Sequence, residues 1–172
     1  LLDALRHAAR KEGITAWPIH IKLDTGMHRL GFHPVDDMPR LIDYLKNQSA
    51  LIPRSVFSHF VGSYCDDFDD FSAKQFELYT KGADALQNAF PHHILRHICN
   101  SAGIEHFPGR QMDMCRLGLG LYGINPRNNE VLHNVSTLKT TILQLRNVPK
   151  GDSIGYSRRT ILDRDSVIAA IP

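Results

Sequence analysis

The strongest constraint on this chain is an alternation. Short runs with apolar residues at every second position are each followed by a stretch with helical spacing, and the unit repeats. Ile19, Ile21 and Leu23 are apolar, while His20, Lys22 and Asp24 point the other way. A helix is predicted over about Met38–Gln48, with Leu41, Ile42 and Leu45 inward. The strand RSVFSHF follows, then a helix reaching about Phe90 with Phe76, Tyr79, Ala83, Leu86 and Phe90 on one face. In FSAKQF, Ser72 fits the N-cap, Gln75 its capping-box partner, and Phe71 with Phe76 a hydrophobic staple. A third strand is predicted at about Leu95–Cys99 and a fourth at about Met112–Arg116. This βαβα order implies parallel strands in an α/β fold, because a parallel connection needs a crossover.

The alternation stops near Pro126. Beyond PRNNE come TLKTTILQLRNV, the turn PKGD, SIGYSRRTIL and SVIAAIP, rich in Thr, Ile and Val with no helix between them. These read as antiparallel strands, so the expected division is 1–128 as the α/β part and 129–172 as the start of a β domain. At the other end, Leu1, Leu2, Leu5, Ala8 and Ala9 share one helical stripe, with Gly13 at a helix C-terminus. No capping residue precedes Leu1, so the helix is expected to begin upstream and the chain to be an internal piece of a longer protein.

A chain of 172 residues with a formal net charge of +2 and scattered Lys and Arg argues against nucleic acid or an anionic membrane as the main partner. Three widely spaced cysteines, Cys65, Cys99 and Cys115, fit reduced thiols in a cytoplasmic protein. No apolar run is long enough to span a bilayer.

Lys22, His59, Asn100–Ser101 and Arg116 all fall at or just past the carboxyl end of a predicted strand. In a parallel barrel that end builds the active site. Each has a plainer reading: Lys22 as a solvated strand end or partner of Asp24, His59 as a half-buried histidine beside Phe57 and Phe60, Asn100 and Ser101 as caps, Arg116 as an ion-pair partner. Their recurrence in one topological place favours a site. GLGLYG (118–123) matches a dinucleotide-binding pattern, but Asn125–Pro126 deny it the required helix. Its amides after Arg116 still suit a phosphate. The CDDFDD run with His92, His93 and His97 is read as helix-dipole complementation and loop residues, not a metal site.

KLDTGMHRLGF (22–32) resembles a signature of alanine racemases, the fold-type III pyridoxal-phosphate enzymes. SHF at 58–60, CNSAG at 99–103, RLGLGLYGINP at 116–126 and TLKTTILQLRNVPKGDSIGY at 137–156 occur in that family's order and spacing. Leu117 stands where many members have proline, and Ser157 where glycine is common. The resemblance implies a homodimer of (β/α)8 barrels, each followed by a β domain. This chain would supply the last four barrel strands and the start of the β domain. The cofactor-binding lysine would lie upstream of Leu1, so the piece alone is expected to be inactive. Some members also carry a cell-wall ligase upstream.

The implied reaction interconverts L- and D-alanine by two-base proton transfer at Cα, in the cytoplasm, supplying D-alanine for peptidoglycan. Tyr156 would be one base, contributed by the partner subunit, with His59 as its hydrogen-bonding neighbour. Arg116 would face the pyridine nitrogen. Asn100, Ser101, His59 and the amides of Gly118 and Leu119 would hold the cofactor, Ser101 and those amides at its phosphate. Arg29 would reach the cofactor's phenolic oxygen and, with Tyr156, the substrate. Lys22 would carry a carbamate that orients Arg29. A racemase of broader substrate range, or a non-catalytic pyridoxal-phosphate-binding or structural barrel piece, are the rival expectations.

Overall fold

The computed structural model describes every residue of 1–172 except Asn134 and Ser136. They fall into two units, Leu1–Val135 and Ser136–Pro172. The first unit carries α1 (Leu2–Lys11), β1 (Trp17–Lys22), α2 (Met38–Lys46), β2 (Leu51–Phe57), α3 (Asp69–Ala89), β3 (Leu95–His97) and α4 (Ser101–His106). β1, β2 and β3 form one sheet in chain order, and both pairings are parallel.

Alternation along these strands sorts their side chains to two faces. Ile19, Ile21 and Val56 join Leu41 and Leu45 of α2 and Tyr79, Ala83 and Leu86 of α3 in the core. Tyr79 is fully buried and donates its hydroxyl to the Val56 carbonyl at 3.0 Å. His20, Ser55 and His97 are linked to one another on the other face. Hence one face packs the helices and the opposite face carries polar groups.

Three local expectations are corrected. α3 starts at Asp69, not Ser72, running on from a 3-10 turn at Asp66–Phe68. Ser72 is buried without a hydrogen-bond partner among the described residues, and no side chain caps the helix. Asp69 and Asp70 occupy the first turn instead, where carboxylates meet the positive helix end. β3 is only Leu95–His97. The segment 112–116 is not a strand: it makes two isolated backbone bonds, Asp113 N–H to the Arg96 carbonyl (3.1 Å) and Arg116 N–H to the Cys99 carbonyl (3.0 Å), too sparse for a ladder.

The loop after β1 doubles back. Phe32 N–H donates to the Lys22 carbonyl and Asp24 N–H to the Phe32 carbonyl, both at 2.9 Å. Gly31 makes this approach feasible: its φ is +130°, and a Cβ there would lie 2.7 Å from the Asp24 nitrogen. Gly31→Ala is therefore expected to destabilise the complete protein by about 2–4 kcal/mol, from backbone strain plus overlap. Urea unfolding measures it, and an unchanged midpoint would show that the loop has another way to fold.

The second unit contains β4 (Gln144–Val148), β5 (Ser153–Ile154), β6 (Thr160–Ile161) and β7 (Ser166–Ala170). β4 pairs with β7 and β5 with β6, both antiparallel. Residues 137–143 form no strand. No helix among the described residues is long and apolar enough to cross a membrane.

Candidate active site

Arg116 is the centre of the polar face. Its Nη1 donates to His97 Nδ1 at 2.6 Å, and its Nη2 donates to the Ser58 carbonyl at 2.6 Å and to His59 Nδ1 at 3.1 Å. Longer contacts reach the His97 and Ile98 carbonyls, and the guanidinium lies 5.2 Å from the Phe57 ring centroid. Every one of these hydrogen-bond partners is neutral. A guanidinium only donates, so both histidines must present an unprotonated Nδ1 to it. Their acidities agree. Burial first, then the Arg116 charge, draws His97 down to about 4, and burial, Arg116, Arg29 and Lys22 lower His59. Neutral His59 then carries its proton on Nε2, free to donate elsewhere.

The strand ends are tied together by α3. Gln75, buried, donates from Nε2 to Thr25 Oγ1 (3.2 Å) and to the His59 carbonyl (3.1 Å), and its Oε1 accepts from Val61 N–H (3.0 Å). Thr25 Oγ1 also lies 2.7 Å from Ser58 Oγ, which donates to the Leu23 carbonyl at 2.8 Å. Gln75 thus clamps the loops after β1 and β2 rather than capping its own helix.

Asn100 caps α4: its Oδ1 accepts from Gly103 N–H (2.9 Å) and Ser63 Oγ (2.8 Å), while Nδ2 donates to the Phe60 carbonyl (3.2 Å). Ser101 Oγ accepts from Gly118 N–H (2.8 Å) and Gly120 N–H (3.2 Å), folding the Gly118–Leu119 turn back onto the start of α4. Burial pushes the neighbouring Cys99 thiol up to about 12, which makes it a poor nucleophile.

Lys22 is half-buried at the end of β1. Burial and then Arg29 lower its pKa, and Asp24 opposes the shift. Asp24 is not its ion-pair partner: Oδ1 accepts from Gly26 N–H (3.1 Å) and His28 N–H (3.0 Å), and His28 Nδ1 lies 3.4 Å from Oδ2. Arg29 is exposed. Tyr156 belongs to the second unit, within a 3-10 turn, and is 98% exposed.

The chain therefore brings His59 and Arg116 into direct contact, sets Ser101 against Gly118 and Gly120, and holds Lys22 within electrostatic reach of both arginines. The sequence reading missed His97, Ser55, His20, Ser58, Thr25 and Gln75 as parts of this network. The available signal was the polar residue at alternate positions of strands whose other face is apolar.

Parallel strands whose carboxyl ends meet a half-buried guanidinium, with Lys22 and Arg29 near it, define a class: α/β proteins with a cationic site where strands give way to loops. Residues 1–126 match the family model for the alanine racemase N-terminal domain, and residues 135–172 the model for the alanine racemase C-terminal domain. The chain belongs to the alanine racemase family. It is 33% identical over 175 residues to alanine racemase 1 of Oceanobacillus iheyensis and 34% identical over 177 residues to the alanine racemase of Aeromonas hydrophila; each alignment takes in 99% of this chain and 46% of the relative. The solved alanine racemase of Clostridium difficile 630 superposes with a TM-score of 0.70 at 26% identity, over 95% of this chain and 44% of that one. The alanine racemase of Bacillus anthracis with bound L-Ala-P gives 0.71 at 22% identity, over 97% and 45%, a likeness of fold. The chain thus spans about half the length of the relatives it matches.

Proposed function

We propose that this chain is part of a pyridoxal-phosphate-dependent alanine racemase, which interconverts L- and D-alanine and supplies D-alanine for peptidoglycan in the cytoplasm. Residues 1–128 form the later strands of a (β/α)8 barrel and 129–172 begin the C-terminal β domain. The order β1-β2-β3, with residues 113–116 bonded beside β3, supports the barrel reading. The complete protein works as a homodimer whose sites take residues from both subunits.

The observation that carries this reading is the Arg116 environment. A half-buried guanidinium is held by imidazoles and carbonyls, with no carboxylate among its partners in the described residues. Lys22 and Arg29 add positive charge, and their influence on His59 marks the same region. A phosphate-bearing ligand with a ring nitrogen fits such a donor set.

Pyridoxal phosphate, bound there, supplies the electron sink that makes the alanine Cα proton removable. Arg116 would hold the pyridine nitrogen unprotonated, because a guanidinium donates and does not give up its proton. That restrains the sink and limits side reactions. Ser101, whose Oγ already accepts from Gly118 N–H, would turn its hydroxyl proton to the phosphate together with the Leu119 amide, while Asn100 and His59 would fix the loops around it. Arg29 holds the substrate carboxylate and the cofactor's phenolic oxygen. Tyr156 of one subunit acts as base at the other subunit's site; His59 Nε2–H is the donor available to stabilise its phenolate.

Lys22 carries a carbamate in this account. Its lowered pKa enriches the neutral amine, which adds to the carbon of carbon dioxide and releases a proton. The anion formed replaces repulsion of Arg29 by attraction. Lys22→Ala is expected to reduce kcat/KM by about tenfold, the scale of one charge-assisted hydrogen bond. Chloride or acetate should restore part of it. An unmodified Lys22 by intact-mass analysis, with no rescue by any small anion, would remove the carbamate.

The test of the whole reading is chiral analysis of L-alanine incubated with the complete protein and pyridoxal phosphate. D-Alanine is expected. Cofactor binding without any D-alanine would favour a non-catalytic binder, and faster turnover of other amino acids a racemase of broader range.

A further inference from the structure

We propose that Ser55 is a positioning residue for Arg116: its hydroxyl, set between His20 and His97 inside the sheet, holds His97 in the tautomer that accepts from the guanidinium. The importance of this for turnover rests on the racemase reading above; the tautomer itself does not.

The register of β1 against β2 creates the arrangement. Ile19 pairs with Pro53 but His20 with Ser55, so Arg54 is passed over. An irregularity suits this place because Pro53 has no N–H to give a regular ladder. Without it His20 would face Arg54. On the other side Ser55 pairs with Leu95, which sets His97 two residues further along the same face of β3. Ser55 is 0% exposed and His97 3%. The His97 ring is stacked on Phe57, with centroids 5.0 Å apart and planes 2° from parallel, so its plane is fixed.

The protons can then be placed one by one. Arg116 can only donate, so His97 Nδ1 accepts and the His97 proton sits on Nε2. That Nε2–H points at Ser55 Oγ, 3.2 Å away, so the hydroxyl oxygen accepts. The single Ser55 proton goes to its other neighbour, His20 Nδ1, whose contact with Oγ is short. Ser55 Oγ has no further partner among the described residues, so the direction of all three bonds follows from Arg116. The reverse also holds. If Ser55 cannot accept, a buried Nε2–H is left without a partner, so the tautomer that accepts from Arg116 loses part of its advantage over the other. In that other tautomer the guanidinium would lose the bond that aims it.

Nitrogen-15 NMR of the histidine-labelled complete protein reads the His97 tautomer directly, without turnover. The expected wild-type result is an unprotonated Nδ1 and a protonated Nε2. In Ser55→Ala the His97 signals should move toward the other tautomer or broaden between the two. The kcat for alanine should fall by about 3- to 10-fold, one hydrogen bond's worth, with KM changed by less than about twofold. Ser55→Thr keeps the hydroxyl and suits a strand; it should retain both the tautomer and the rate, which a merely space-filling role at this position does not require. A wild-type His97 protonated at Nδ1 would overturn the proposal even if Ser55→Ala does not fold. So would unchanged His97 signals in a folded Ser55→Ala protein. If the complete protein racemises nothing, the racemase reading fails, while the histidine signals still decide the relay.

Discussion

Tyr156→Phe in the complete enzyme should leave a folded dimer that has lost alanine racemisation by about 10²- to 10⁴-fold, the usual worth of a positioned acid-base group. The side chain is 98% exposed and makes no hydrogen bond among the described residues, so the fold does not lean on its hydroxyl. The sharper expectation concerns whose site it serves. Arg116→Ala damages the half of a site that holds the cofactor, and Tyr156→Phe the half that donates the base. In a heterodimer of the two variants, a shared-site enzyme collects both lesions in one site and neither in the other. Co-refolding two nearly inactive homodimers should then restore up to about half the activity per heterodimer, since half of its sites are intact. If Tyr156 serves its own chain, every site keeps one lesion and mixing restores nothing. Two affinity tags establish that heterodimers formed.

Arg116→Glu is expected to change the product as well as the rate. The wild-type guanidinium donates to His97, His59 and the Ser58 carbonyl and has no atom that could accept a hydrogen bond. A carboxylate in its place would accept a hydrogen bond from a protonated ring nitrogen, which would strengthen the electron sink and open transamination. Racemisation should fall by about 10²-fold or more, the scale of removing a preorganised site donor. Pyruvate should form, up to about one equivalent per site, because the amino group stays with the cofactor and no keto acid is supplied to remove it. Arg116→Gln is the control: it also loses the charge and most of the donors, but it provides no proton-accepting carboxylate. It should be slow without yielding extra pyruvate. An unchanged product ratio in Arg116→Glu would move Arg116 away from the pyridine nitrogen.

Much of the fold was legible because its signals are local. Ile19, Ile21 and Leu23 alternate, α2 follows at helical spacing, and Tyr79, Ala83 and Leu86 form one apolar stripe. What failed was local pattern overruled by tertiary demand. Ser72 and Gln75 make a good capping box, yet Gln75 is claimed by three partners on the loops after β1 and β2, and the helix begins a turn earlier. Met112–Arg116 has the composition of a strand but only two backbone bonds beside Arg96 and Cys99. Extended propensity does not by itself make a ladder.

The candidate site was legible in part for the same reason. His59, Asn100 and Ser101 follow the ends of β2 and β3, where sequence order and topology coincide, and Arg116, though not on a strand, bonds back to His59 and His97 there. His97, Ser55 and His20 lie within strands. A polar residue there reads as a solvated position until the sheet is assembled and the second polar face appears. Thr25 and Ser58 look like ordinary turn residues, and only their 2.7 Å contact gives them a role. Asp24, beside Lys22 in the sequence, looked like its ion-pair partner, but the amides of Gly26 and His28 occupy it. Lys22 keeps a lowered pKa, from burial first and then from the charge of Arg29.

The most direct test of the account is proton exchange at alanine Cα. The complete protein, loaded with pyridoxal phosphate, is given L-alanine in deuterium oxide and followed by proton NMR together with chiral analysis. The account predicts that the α-proton signal disappears while D-alanine appears carrying deuterium at Cα, both lost together in Tyr156→Phe. Exchange that leaves L-alanine as the only enantiomer would contradict the two-base reading, and a persistent α-proton signal would contradict the racemase itself.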